Sequence, residues 1–266
     1  MKKNKSILVA LLFLAIMLVQ PKNLQRLVTI FTQNDLATQL NISESTEEKK
    51  SILSGAYQKQ NDELTSKNYD GKQVITVNDK AQFTNTELNL ENGSWEQYSD
   101  LDFLNRVGVA EAMLGQDLMP TQKRENISNV IPTGWKNKKI TFNGKSDNLY
   151  NRSHLIGFQL SGENANINNL FTGTRALNAN FEDEKSSMVY YEHLIANYIK
   201  ETNHHVRYRV TPLFKNVELV CRGVRLEAQS IEDDTISFDV YIFNVQPGYK
   251  IDYLTGKSQK MTEGDR

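Results

Sequence analysis

An unbroken apolar run from Ile7 to Val19 follows Lys2, Lys3 and Lys5, and it confines the core of this 266-residue chain to what comes after it. Three cations ahead of thirteen apolar residues match the charged and hydrophobic regions of an export signal. Thirteen helical residues rise only about 20 Å, short of the roughly 30 Å hydrocarbon core of a bilayer. Gln20, Pro21 and Lys22 follow, without the small residues of a cleavage site. The sequence therefore predicts a secreted or cell-surface protein with a signal or anchor segment over residues 1–23. Cleaved release and membrane anchoring by an uncleaved segment both stay open. No cysteine lies near the run, so lipidation of an amino-terminal cysteine is excluded.

The exported part must stand on packing. Cys221 is the single cysteine, which excludes a disulfide within the chain and a thiolate-rich zinc site. At 39% apolar and 24% charged residues, the chain is neither disordered nor a multispan membrane protein. Its 31 basic and 32 acidic residues give a net charge of −1. Removing the three lysines of residues 1–20 from the 31 leaves 28 against 32, a charge of −4. A polyanion would be repelled on average, so any nucleic-acid chemistry must come from a local basic site.

Residues 24–71 are rich in Gln, Asn, Ser, Lys and Glu and read as a polar, partly helical tether. Strand character begins at Val74-Ile75-Thr76-Val77, after the turn signal Asp70-Gly71. Apolar residues then recur densely enough for one domain over 72–256, followed by a polar tail over 257–266. Within the domain, Leu101, Leu104, Val107, Ala110, Ala112 and Met113 predict a helix ending at Gly115. Lys139 to Phe142 reads as a strand, Asn143-Gly144-Lys145 as a tight turn, and Leu149 to Ile156 as the returning strand. A helix is expected over Val189 to Lys200, with Leu194, Ile195, Tyr198 and Ile199 on its buried side. Strands are expected around Val206–Val210, Val217–Glu227 and Thr235–Val245. The order is α+β, a central antiparallel sheet flanked by helices.

Histidine is scarce: His154, His193, His204 and His205. His154 ends the tetrad Asn151-Arg152-Ser153-His154, and Asn168-Asn169, Arg175, Asn178 and Glu192 follow. Hydrolysing a phosphodiester requires a group that accepts a proton from water and positive charge on the phosphate oxygens. An ordinary histidine accepts protons near neutral pH. Mg²⁺ retains several waters and takes oxygen donors such as an Asn carbonyl, a carboxylate can orient those waters, and arginine binds phosphate in bidentate fashion.

The stretch NRSHLIGFQLSGENANINNLFTGTRALN resembles the active-site block of the DNA/RNA non-specific endonucleases with a ββα-metal finger, in particular the secreted streptococcal DNases (streptodornases) and the DNA-entry nucleases of competent streptococci. WEQYSDLDFLNRVG (95–108), Pro132-Thr133-Gly134-Trp135, the 190–212 block and FNVQPGYKIDYLTG (243–256) extend the likeness over roughly residues 72–256. The resemblance implies a ββα-metal nuclease fold and a Mg²⁺-dependent endonuclease, Mn²⁺ being the alternative ion. Its partner would be DNA, with RNA a second substrate, and its products would carry 5′-phosphates. It implies His154 as general base, Asn178 as direct metal ligand and Glu192 as holder of metal-bound waters. Asn169 would lie near the substrate, Arg124 would bind phosphate, and Arg152 would contact phosphate or serve structure. The sequence departs from the family's Asp-Arg-Gly-His tetrad at Asn151 and Ser153, which weakens any charge support for His154. A nucleic-acid-binding surface protein of the same fold with weak or lost catalysis is the rival those departures allow.

Asn178 and Glu192 lie fourteen residues apart, about 21 Å on one straight helix. To share one ion they require a chain break, expected over Asn180 to Ser187. His193 is expected to face away from the Glu192 side as a surface residue. His204 and His205, adjacent before a strand, point to opposite sides and are not expected to ligate. Lys136, Lys138 and Lys139 read as a solvated charge run, and Trp135 as a packing residue.

Overall fold

The computed structural model describes residues 54–180 and 183–262. The apolar leader and residues 24–53 lie outside the described residues. The chain divides into two compact units between Gln60 and Asn61. In the smaller unit, residues 54–60 are helical. The larger unit begins at Asn61, inside the stretch read from sequence as tether. Residues 61–66 are helical, Leu64 packs with Leu213, Tyr241 and Phe243, and the Asn61 Oδ1 accepts a hydrogen bond from Arg225.

The larger unit is α+β. Strands β1 (Val74–Asn78), β2 (Trp95–Tyr98) and β3 (Ala110–Leu114) come first. β4 (Lys139–Phe142) and β5 (Lys145–Asn148) form a hairpin, and β6 (Tyr150–His154) and β7 (Leu170–Thr174) a second pair. β8 (Val206–Leu213), β9 (Gly223–Ser230) and β10 (Ser237–Phe243) make a meander. β11 (Tyr249–Ile251) pairs with β12 (Ser258–Lys260), so part of the expected tail is a strand. Helices α1 (Phe158–Ser161), α2 (Arg175–Asn178) and α3 (Met188–Thr202) complete the frame. The main sheet has the order β1-β10-β9-β8-β3-β2 and is antiparallel throughout.

Period-two patterning in β8 to β10 decides which side of the sheet holds the core. Val206, Tyr208 and Val210, Val224, Leu226 and Ala228, and Val240 and Ile242 point to one face. There they join Leu155, Leu160, Phe171, Leu177, Ile195 and Ile199 in a single apolar cluster. That face therefore carries the β6–β7 pair and α3. The alternate positions are charged: Arg207, Arg209, Arg225, Glu227 and Asp239, all buried or nearly so. Their charges are satisfied locally. Arg225 makes two bonds to Asp239, 2.8 and 2.6 Å, and Arg209 pairs with Glu111 and Glu87 while Phe83 stacks on Arg207 and Arg209.

Three sequence expectations are corrected. The predicted helix over 101–113 is a loop followed by β3: Asp102 bonds the Leu104 and Arg106 amides, Asn105 takes φ 60°, and Ala110–Leu114 pairs with both β2 and β8. The returning strand is two strands. Asn143 and Gly144, both at positive φ, turn β4 into β5, and β6 leaves to pair with β7. On α3, Leu194 is exposed, whereas Ile195, Tyr198 and Ile199 are buried as expected from the helical period.

Candidate active site

Strand β6, helices α1, α2 and α3 and the loop before β4 line a cavity of about 480 Å³. His154, Arg124, Arg152, Asn178 and Glu192 all line it, from four separate stretches of chain, Arg152 and His154 sharing β6. His154 ends β6 opposite Leu170, and the Leu155 amide bonds the Asn169 carbonyl, so the imidazole is delivered at a fixed strand end.

The imidazole is 7% exposed and its two nitrogens are distinguished by their partners. Nε2 lies 2.8 Å from the Asn164 carbonyl, an acceptor, and Nδ1 lies 3.3 Å from Nη2 of Arg124, a donor. Guanidinium has no acceptor. These partners are compatible with the neutral tautomer that carries its proton on Nε2, leaving the Nδ1 lone pair toward the cavity. Burial pushes the imidazole pKa down to about 4; the Asn164 bond opposes that shift and the Arg124 charge adds to it. At neutral pH the His154 imidazole is therefore unprotonated.

Asn178 closes α2, a helix of four residues held from outside. Thr174 Oγ1 caps it at the Leu177 amide, and Asn244 and Gln246 bond the Thr174 and Ala176 amides. The chain leaves the helix at Ala179 in extended conformation (φ −158°), a 3₁₀ turn follows at Glu184–Ser186, and α3 starts at Met188. That interruption lets Asn178 and Glu192 line one cavity. Among the described residues the Asn178 amide makes no hydrogen bond, so its carbonyl is uncommitted.

Glu192 projects from α3 toward the Gly157 backbone and is 6% exposed. The Gln159 Nε2 donates to its Oε2 at 3.3 Å and the Gly157 amide also donates. Burial raises the carboxyl pKa to about 7, against those two bonds and the Arg124 charge. Arg152 is anchored by the carbonyls of Val130 and Ser128 and lies 4.4 Å over the Trp135 ring. These contacts hold its guanidinium at the cavity wall, while Arg175 is paired with Asp147 at 2.8 Å.

Residues 85–232 match the family model of the DNA/RNA non-specific endonucleases. The chain belongs to that family. Among solved structures it is similar to NucA from Streptococcus agalactiae with magnesium ion bound, at 26% identity and a TM-score of 0.65 over 76% of this chain and 96% of that one. It is likewise similar to the Sda1 nuclease with bound zinc ion, at 27% identity and a TM-score of 0.62 over 72% of this chain and 98% of that one.

In this endonuclease the two tetrad departures have distinct surroundings. Ser153 is fully buried, and its Oγ lies where a side chain on residue 173 would stand, 2.2 Å from the ideal Cβ position. Gly173 across the strand pair is what leaves room for that serine. Asn151 lines the cavity. Asn169 does not: it is fully buried behind the site, where Oδ1 accepts from the Ile156 amide and Nδ2 donates to the Ile156 carbonyl and the Tyr98 hydroxyl. It pins the turn that follows His154 and is placed to act through that turn.

Sequence reasoning missed two features of the endonuclease site. Gly157 lies against the Glu192 carboxylate, where an added Cβ would approach to 2.3 Å; the spacing Gly157-x-Gln159 after the histidine was the available signal. His193, expected to point away, is exposed yet lines the same cavity as Glu192. A cavity wide enough to span a helix flank admits residues about 100° apart. His204 and His205 are engaged elsewhere, His204 with the Tyr198 hydroxyl and Asp233, His205 with Glu232.

Proposed function

We propose that this endonuclease is exported and hydrolyses DNA, with RNA as a second substrate, using His154 as general base and a divalent cation, Mg²⁺ before Mn²⁺. The observation that supports the reading is the His154 ring: Nε2 lies 2.8 Å from the Asn164 carbonyl, which leaves Nδ1, beside Arg124, as the basic nitrogen on a cavity that Asn178 and Glu192 also line. Export rests on the Lys-rich start and the Ile7–Val19 run.

The donors fit a hard cation. Among the described residues no cluster of three His, Cys, Asp or Glu side chains forms a metal cage. What the cavity holds, among the described residues, is the uncommitted side-chain amide carbonyl of Asn178, with those of Asn148 and Asn151 also on its lining, and one buried carboxylate, Glu192, a sparse oxygen set suited to an ion that keeps most of its water. Asn178 would hold the ion and Glu192 would orient its water shell. When bound, such an ion supplies positive charge to the phosphate oxygens and to the leaving oxygen.

The chain's own residues then divide the work. His154 Nδ1 takes a proton from the attacking water, whose oxygen bonds to phosphorus while the bond to O3′ breaks, leaving a 5′-phosphate. Arg124 and Arg152 hold the phosphate. Contacts with phosphate rather than base edges carry no sequence information, which suits a non-specific enzyme. Incubating the protein with plasmid DNA in Mg²⁺, then in excess chelator, tests the reading. Cleavage only with metal and 5′-phosphate ends support it; gel retardation without cleavage in both conditions would favour a binding protein instead.

A further inference from the structure

Arg124 occupies the position from which His154 would have to accept its proton. Nη2 lies 3.3 Å from Nδ1, and a nitrogen whose lone pair already accepts a hydrogen bond cannot accept a proton from water at the same time. We propose that Arg124 masks the general base in the free protein, and that a phosphodiester entering the cavity draws the guanidinium away, so that the base is available only when substrate is present. This rests on His154 being the base.

The surroundings single out Arg124 as the movable group. Of the three arginines that line the cavity, Arg152 is anchored by two backbone carbonyls and a tryptophan ring, and Arg175 by the Asp147 carboxylate. Arg124 sits exposed on a stretch without helix or strand. Its partner is a neutral imidazole nitrogen that takes one bond, whereas an anionic phosphate adds an opposite charge and can accept two parallel guanidinium bonds. The ligand therefore differs in affinity for the two positions of the guanidinium, which is the condition for shifting it. The imidazole itself cannot follow, because Nε2 stays bonded to Asn164 at 2.8 Å. The mask and the phosphate clamp are thus one side chain in two positions, and the lone pair is shielded from protons and adventitious metals until a phosphate arrives.

Acylation by diethyl pyrocarbonate, mapped by mass spectrometry on the free protein without metal or nucleic acid, reads the mask directly. Attack needs a free imidazole lone pair, and exposed His193 on the same cavity is the internal reference. Arg124→Ala is expected to raise the His154 rate about tenfold, the scale of one hydrogen bond to a charged group, with His193 unchanged and Arg124→Lys intermediate. Equal His154 rates in wild type and Arg124→Ala, at equal melting temperature, would overturn the mask. On the wild type, inorganic phosphate is expected to shift the ¹⁵N resonance of His154 Nδ1 while leaving Nε2 in place; an unmoved Nδ1 signal at saturating phosphate would also overturn it. Neither readout needs catalysis, so a masked His154 in a protein whose His154→Ala variant still cleaves DNA would refute the base assignment alone.

Discussion

Gly157→Ala is a one-carbon change that should damage catalysis far more than folding. Gly157 has φ −62° and ψ 144°, which alanine adopts freely, so the backbone opposes nothing. The new Cβ would stand 2.3 Å from Oε2, 2.6 Å from Cδ and 2.7 Å from Oε1 of Glu192. To restore a 3.4 Å separation from Oε2 the carboxylate must retreat by about 1.1 Å. A displacement of that size at a catalytic group costs about 100-fold in rate. Overpacking costs about 1–3 kcal/mol of stability, partly offset by about 0.4–1 kcal/mol from the stiffer unfolded chain. The expected result is a kcat/KM for DNA cleavage lowered about 100-fold, with a melting temperature only a few degrees below wild type. Adding Glu192→Asp, which withdraws the carboxylate by one methylene, should recover part of the loss relative to Gly157→Ala. A Gly157→Ala enzyme within threefold of wild type would refute the claim that the Glu192 position matters.

Two other expectations follow from the same coordinates. The Glu192 carboxyl, raised by burial to about 7, is protonated below that pH in the metal-free protein, and a divalent cation prefers its ionised form. Mg²⁺ affinity measured by calorimetry should therefore be full at pH 8 and fall about tenfold per unit below pH 7; an affinity independent of pH between 6 and 8 would contradict the role of Glu192. On the far side of the sheet, Asp239→Ala leaves the fully buried Arg225 guanidinium without its two-bond partner. A loss of about 3–5 kcal/mol is expected in urea unfolding, and joint replacement of Arg225 by Met and Asp239 by Leu should cost much less.

That His154, Asn178 and Glu192 come together was legible because they lie within one short block of sequence, on one strand end, one short helix and the next helix, and they line one cavity. The break between the last two was legible from helix geometry alone, since a straight helix would hold them too far apart. The segment Ala110–Leu114 was not. Its residues are good helix formers at a helix-compatible spacing, and only pairing with β2 and β8 makes it a strand. The burial of the charges of β8 to β10 was not legible either, because a charged side chain on a strand does not show what covers it. They are covered by residues that precede them by more than a hundred positions, Asn61, Phe83 and Glu87 among them. Asn169 was expected near the substrate, and its burial behind the site was not legible, because its partners, the Ile156 backbone and the Tyr98 hydroxyl, are set by tertiary packing.

The proposed hydrolysis passes through one nitrogen, Nδ1 of His154. The direct test is the rate of plasmid nicking by purified His154→Ala beside wild type, in Mg²⁺ and at matched melting temperature. Removal of a general base is expected to slow the reaction by about 10²–10⁴, leaving at most about one per cent of the metal-dependent rate. A variant that keeps more than a few per cent of that rate would contradict the assignment of His154 as the base.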